Sequence, residues 1–147
     1  MKIPGFIGEY RHNMDAKGRL AMPAVFRNAL GTVFYATVGI DHCIAIYTEE
    51  EFGKLYERLL DYPDMKRNSR IVMQQIMGSA RECEPDAQGR IMIPANLIRH
   101  AYLKKDCAIV GVGSHVEIWD GETWDRTKED ALDRLSDIAE NLPEIHQ

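Results

Sequence analysis

Asp15-Ala16-Lys17-Gly18-Arg19-Leu20-Ala21-Met22-Pro23-Ala24 recurs 71 residues later as Asp86-Ala87-Gln88-Gly89-Arg90-Ile91-Met92-Ile93-Pro94-Ala95, with six of ten positions identical. A second pair of blocks follows in the same order: Val38-Gly39-Ile40 and Ile44-Ala45-Ile46-Tyr47 match Val110-Gly111-Val112 and Val116-Glu117-Ile118-Trp119 at an offset of 72. One inserted residue between the blocks accounts for the change of offset. Turn residues, apolar pattern and order persist together, so the chain is read as a tandem duplication.

Each copy predicts the same local structure. Glu9 to Met14 is a short strand, after which Asp-x-x-Gly supplies a type I turn, with Asp at its first position and Gly at its fourth. Arg19 to Met22 is the return strand, placing Leu20 and Met22 on one face and Arg19 and Ala21 on the other. Pro23 fits the first turn of a helix, where its missing N–H costs nothing, and Gly31 stops the helix after Leu30. Val33 to Val38 and Cys43 to Tyr47 form a hairpin across Gly39-Ile40-Asp41-His42. Thr48 with Glu51 has the form of a capping box opening a helix to about Leu60, and Pro63-Asp64 opens another to about Met77. Asp120 caps a C-terminal helix on which Trp124, Ala131, Leu135, Ile138 and Leu142 make a narrow apolar stripe, expected to pack on the chain's own body or on a neighbouring subunit.

Strands of four to six residues cannot bury an apolar face alone, whereas two copies can pair strands around a pseudo-twofold axis and close a small barrel. The expected class is α+β, a pseudo-dimeric barrel of two β units with flanking helices. The boundaries are 5–50 and 78–122 for the units, 51–77 for connecting helices and 123–147 for the acidic C-terminal helix.

The chain has 147 residues, 45% of them apolar, enough to bury a core. No run approaches the roughly 18 apolar residues of a membrane span, and Pro4, Gly5 and Gly8 interrupt the start where a signal peptide needs an apolar run, so a soluble cytoplasmic protein is expected. Cys43, Cys83 and Cys107 are odd in number and widely spaced, which predicts reduced thiols rather than a disulfide framework or zinc site. His12, His42, His100, His115 and His146 lack metal-ligand spacing and read as scattered surface residues. No phosphate loop, dinucleotide fingerprint or nucleophile elbow is present, so no enzyme, metal or cofactor is expected. Met65, Met73 and Met77, with Val72 and Ile76, fall at helical spacing, as core or interface does.

The net charge of −5 is unfavourable for a nucleic-acid binder until its distribution is considered. Asp120 to Gln147 holds nine acidic and three basic residues, a balance of −6 that leaves the other 119 residues at +1. The residues around the two turns are the candidates for function. Copy one offers Arg11, His12, Lys17 and Arg19; copy two offers Arg81 and Arg90 in acidic company. Arg11, Lys17, Arg19, Gln88 and Arg90 are the candidate contacts to double-stranded DNA, with copy one leading, because the major groove admits a two-stranded ribbon. Arg19 and Arg90 can equally be structural, bridging to Asp15 or Asp86. An antitoxin-like or other protein-interaction module that uses the acidic C-terminal helix is the alternative to DNA binding.

The motifs that carry a resemblance are Gly8-Glu9-Tyr10, the Asp15–Leu20 block with Pro23, its repeat from Asp86 to Pro94, and Val116-Glu117-Ile118-Trp119 before the last helix. In this order, up to about Trp124, they closely resemble the MraZ family. The resemblance implies paired SpoVT/AbrB-like swapped-hairpin units and a ring of subunits bound to short direct repeats in the promoter of the bacterial division and cell-wall gene cluster. It further implies repression of that promoter, including the regulator's own gene, a nucleoid location, and DNA contact by Arg19 and Arg90. The acidic flank of the second motif and the acidic tail depart from that pattern.

Overall fold

A computed structural model describes residues 3–62 and 67–145 of the chain. In order come β1 (Glu9–Asn13), β2 (Arg19–Ala21), α1 (Ala24–Leu30), β3 (Phe34–Val38), β4 (Ile44–Thr48), α2 (Glu49–Leu60), α3 (Arg67–Gly78), β5 (Arg81–Cys83), β6 (Arg90–Met92), α4 (Ala95–His100), β7 (Asp106–Gly111), β8 (Val116–Asp120) and α5 (Gly121–Glu140). The class is α+β. The expected start of the second connecting helix at Pro63-Asp64 lies outside the described residues, as do Met65 and His146.

The two copies interlock. One antiparallel sheet has the order β1-β7-β8-β4-β3-β5, and a separate ribbon pairs β2 with β6. Replacing each strand by its counterpart in the other copy reverses the sheet order, which is the signature of a pseudo-twofold axis. The register locates that axis: Ala45 faces Glu117 across β4–β8, and Leu20 faces Ile91 across β2–β6. Both pairs join residues at equivalent positions of the duplication.

The sequence led us to expect β2 to return along β1, but β2 pairs with β6 instead, while β1 runs beside β7 and β5 beside β3. The turn between β1 and β2 keeps its closing backbone hydrogen bonds, Gly18 N–H to Asp15 O at 3.0 Å and Asp15 N–H to Arg19 O at 2.9 Å. Strands this short gain more by joining a six-stranded sheet or burying Leu20 against Ile91 than by forming an isolated hairpin. Charged side chains on β1 (Glu9, Arg11) and on β5 (Arg81, Glu82) mark the sheet edges against further pairing.

The main core lies where the ribbon and both short helices cover one face of the sheet. Leu20, Met22, Phe26 and Leu30 come from copy one, and Ile91, Ile93 and Leu97 from copy two; all meet Phe34, Ile44, Ile46, Ile109 and Ile118. Phe26 is clasped edge-on by Phe6 and Tyr10 at 5.8 and 5.2 Å. Thr48 accepts from the Glu51 N–H at 3.0 Å and caps α2, and Asp120 accepts from the Thr123 N–H at 3.2 Å and caps α5. Only the first turn of α5 is anchored by apolar packing, through Trp124 against Trp119 at 5.3 Å. Farther along, Leu135 and Ile138 are 57% and 43% exposed, and Leu142, expected on the helix, lies just past its end at 44%, so the stripe does not pack on the chain's own body.

Candidate nucleic-acid interface

Each Asp-x-x-Gly-Arg turn is fixed by its own aspartate. Asp15 Oδ1 accepts from the backbone N–H groups of Lys17 (3.0 Å) and Arg19 (2.8 Å), while Oδ2 accepts from Arg19 Nε at 2.6 Å. Asp86 repeats the arrangement with Gln88 N–H, Arg90 N–H and Arg90 Nε, each at 2.9 Å. The Arg19 backbone N–H holds the Asp15 carboxyl below its ordinary range, helped by the Arg19 guanidinium and the Lys17 N–H. Asp86 is lowered in the same way, first by the Arg90 N–H. Gly18 and Gly89 close the turns at φ +81° and +76°, a backbone that glycine adopts without the penalty of a Cβ.

The structural bridges anticipated for Arg19 and Arg90 therefore exist, yet they engage only part of each guanidinium. Both side chains remain 31% exposed. Among the described residues neither terminal nitrogen of Arg19 makes a hydrogen bond. Alternation sets the direction: Leu20 and Ile91 point into the core, so Arg19 and Ala21 on β2 and Arg90 and Met92 on β6 share the outer face of the ribbon. Arg19 is opposite Met92 and Ala21 opposite Arg90. The two arginines thus occupy one diagonal of a four-residue surface, one from each copy, with exposed Lys17 and Gln88 at its two ends.

Arg11 occupies a different setting. Its guanidinium is held by Asp106 Oδ2 and by Asp125 Oδ1, both at 2.6 Å, and these carboxylates keep its proton bound more tightly than usual. It ties β1 to β7 and to the first turns of α5.

Sequence reasoning missed Arg27, which belongs to copy one but lies against the turn of copy two. Its Nη1 donates to Met22 O at 3.0 Å, and the guanidinium covers Gly89 so closely that a Cβ there would meet Arg27 Nη1 at 2.4 Å. At the equivalent place over Gly18 stands Ile98, whose Cδ1 would lie 3.3 Å from such a Cβ. The signal was an arginine in one copy where the other has isoleucine.

The histidines are not simply scattered over the surface. His100 Nε2 donates to Gly39 O and Asp41 O at 3.2 and 3.1 Å, and His42 Nδ1 reaches His100 O at 3.0 Å, fastening α4 to the β3–β4 turn. Half-buried His115 stacks on Tyr47 at 4.7 Å and bonds Glu117 Oε2 at 3.2 Å. The three cysteines are buried free thiols, and burial pushes the Cys43 thiol far above the reactive range and Cys107 up to about 11. Among the described residues, no group of three acidic, His or Cys side chains is placed to hold a metal, and no helix is long and apolar enough to cross a membrane.

Comparison with known proteins agrees with the duplication. Residues 6–74 and 76–143 each match the family model described as "MraZ protein, putative antitoxin-like". The transcriptional regulator MraZ of Heliobacterium modesticaldum is 44% identical over 137 residues, covering 93% of this chain and 96% of the relative. Its namesake from Ligilactobacillus salivarius is 45% identical over the same shares, and that from Alkaliphilus oremlandii 43% over 95% of this chain and 98% of the relative. Two matched repeats and near-complete coverage at these identities show that the chain belongs to the MraZ family.

Proposed function

We infer that this protein is a sequence-specific DNA-binding transcriptional regulator whose contact surface is the outer face of the β2–β6 ribbon. The observation that carries the reading is the diagonal placement of Arg19 and Arg90, supplied by different copies, on a narrow antiparallel ribbon. Such a ribbon fits the major groove, and arginine donors suit both guanine edges and phosphates. Lys17 and Gln88 extend the contact at the two ends. Arg11 is already neutralised by Asp106 and Asp125, so we assign it to anchoring α5 and not to the leading DNA contacts.

The finer reading follows the family. The exchanged strands support two SpoVT/AbrB-like swapped-hairpin units, at 5–50 and 78–122, that form one pseudo-dimeric barrel. We propose that a ring of such subunits engages short direct repeats in the division and cell-wall cluster promoter at the nucleoid, repressing it together with the regulator's own gene. Three or four cations per subunit give weak binding at physiological salt, and several linked subunits on spaced repeats convert it to strong binding through effective concentration.

Footprinting on DNA upstream of its own gene tests this reading. Periodic protection by the parent protein and its loss with Arg19→Ala are expected. Protection unaffected by Arg19→Ala across a salt series would remove the ribbon as the contact surface.

The second reading, an antitoxin-like or other protein-interaction module, is favoured by one observation, the exposed Leu132, Leu135 and Ile138 on an acidic helix. Truncation after Glu129 keeps Trp124, Asp125 and Lys128 in place. Loss of DNA regulation with unaltered single-site affinity would give α5 a partner-binding role.

A further inference from the structure

The two ends of the ribbon differ in where their cations come from. At the first turn, Lys17 and Arg19 stand against Asp15, a net of +1; at the second, Gln88 replaces the lysine, leaving Arg90 cancelled by Asp86. Arg27 reaches this deficient end from the other copy. Its guanidinium packs against Gly89, makes one hydrogen bond to Met22 O, and forms no ion pair among the described residues. Counting Arg27, the second end also carries +1. The cleft beside it, about 490 Å³, is lined by Arg27, Asn28, Thr32, Asp86, Gln88 and Gly89. Asp86 is already committed to two backbone N–H groups and to Arg90.

Gly89 is what permits this approach. Any side chain there would occupy the volume of the guanidinium, so the second turn gives up its own cation and receives one across the pseudo-twofold axis. A guanidinium held by one carbonyl in the lining of an open cleft has the form of a phosphate contact. We propose that Arg27 is the DNA-backbone contact of the second turn, a phosphate-binding residue that makes the two ends of the ribbon electrostatically equivalent. This rests on the DNA reading given above.

The test is a salt series of equilibrium binding to a duplex from upstream of the protein's own gene and to a random duplex, with Arg27→Gln and Arg19→Ala side by side. Loss of one phosphate contact lowers the slope of log K against log salt by about 0.9 and weakens binding roughly 5- to 10-fold at 0.1 M salt, by the same factor on both duplexes. Arg27→Gln is expected to do this, and Gln88→Lys in the same chain to restore it. An unchanged slope with Arg27→Gln, while Arg19→Ala loses affinity, overturns the role of Arg27 and leaves the DNA reading standing. Absence of salt-dependent binding by the parent protein sinks both. Should Arg27→Gln melt early, Asn28→Asp places a carboxylate in the same cleft without disturbing the Arg27–Met22 bond. It is expected to give the same loss, and no loss overturns the proposal.

Discussion

Asp15 Oδ2 lies 2.6 Å from Arg19 Nε in its own turn and 3.9 Å from Arg90 Nη1 in the other copy. One carboxylate thus sits within range of both arginines of the ribbon. It orients them and at the same time offsets part of the charge that a phosphate would meet. Arg19 and Arg90 consequently form one unit, although 71 positions separate them in the chain.

That coupling is measurable. Arg19→Ala and Arg90→Ala are each expected to weaken DNA binding, and the double variant to lose less than the sum of the two, because either single change releases Asp15 onto the remaining arginine. A double-mutant cycle by fluorescence anisotropy reads the interaction; strict additivity would show that Asp15 serves only its own turn.

Acid stability follows from the same two aspartates. Their carboxyls are held below the ordinary value, chiefly by the backbone N–H groups of Arg19 and Arg90, so the folded state favours the ionised form. The resulting stabilisation is present above the unfolded carboxyl value of about 4 and disappears as pH falls through the lower folded values. Thermal melts from pH 7 to pH 2 should show stability falling below about pH 4, and Asp15→Asn should flatten part of that fall. Identical profiles for parent and variant would contradict the assignment.

Gly18 and Gly31 separate backbone strain from crowding. Both have positive φ, +81° and +82°, but a Cβ at Gly31 meets nothing within 4 Å, whereas one at Gly18 meets Ile98 Cδ1 at 3.3 Å and Ile93 O at 3.4 Å. Gly31 combines this φ with ψ −167°, a region almost confined to glycine, so Gly31→Ala is expected to cost roughly 1–3 kcal/mol from backbone strain alone. Gly18→Ala adds mild crowding to its own strain, because Ile98 Cδ1 must give by a few tenths of an ångström. Urea denaturation of the two variants reads both losses, and an unchanged midpoint for Gly31→Ala would contradict the backbone strain, since a Cβ there meets nothing within 4 Å.

Arg11→Ala removes two ion pairs at once, but the side chain is 36% exposed and solvent screens it. Global stability should fall by under about 1 kcal/mol. The visible effect belongs to α5: amide exchange in its first two turns should accelerate, while exchange in β4 and β8 stays constant. Unchanged exchange near Asp125 would mean that Trp124 and the 2.9 Å Lys128–Glu9 ion pair fasten the helix without Arg11.

The duplication, the turn chemistry and most element boundaries were legible because each depends on residues close in sequence. Pro23 starting a helix and Gly31 ending it are local facts, as are Thr48 over Glu51 and Asp120 over Thr123. Partner choice was not legible. Arg19–Ala21 is three residues long, and nothing within it distinguishes β1 from β6 as a neighbour; the burial of Leu20 against Ile91 decides, and that contact spans both copies. Arg27 escaped notice for the same reason, since its relation to Gly89 exists only once the copies interlock. The fate of the α5 stripe was open to two readings, and the exposure of Leu135 and Leu142 removes the chain's own body as its cover.

The exchange of β1 and β5 has a consequence for how the molecule can be divided. A fragment holding one copy would retain its β3–β4 hairpin but lack the edge strand that its sister lends it, and Leu20 or Ile91 would face water in place of its counterpart. Severed halves would have to find one another before either could mature. Continuity of the polypeptide therefore does the work of concentration: it keeps each half permanently beside the complement without which it has no finished form.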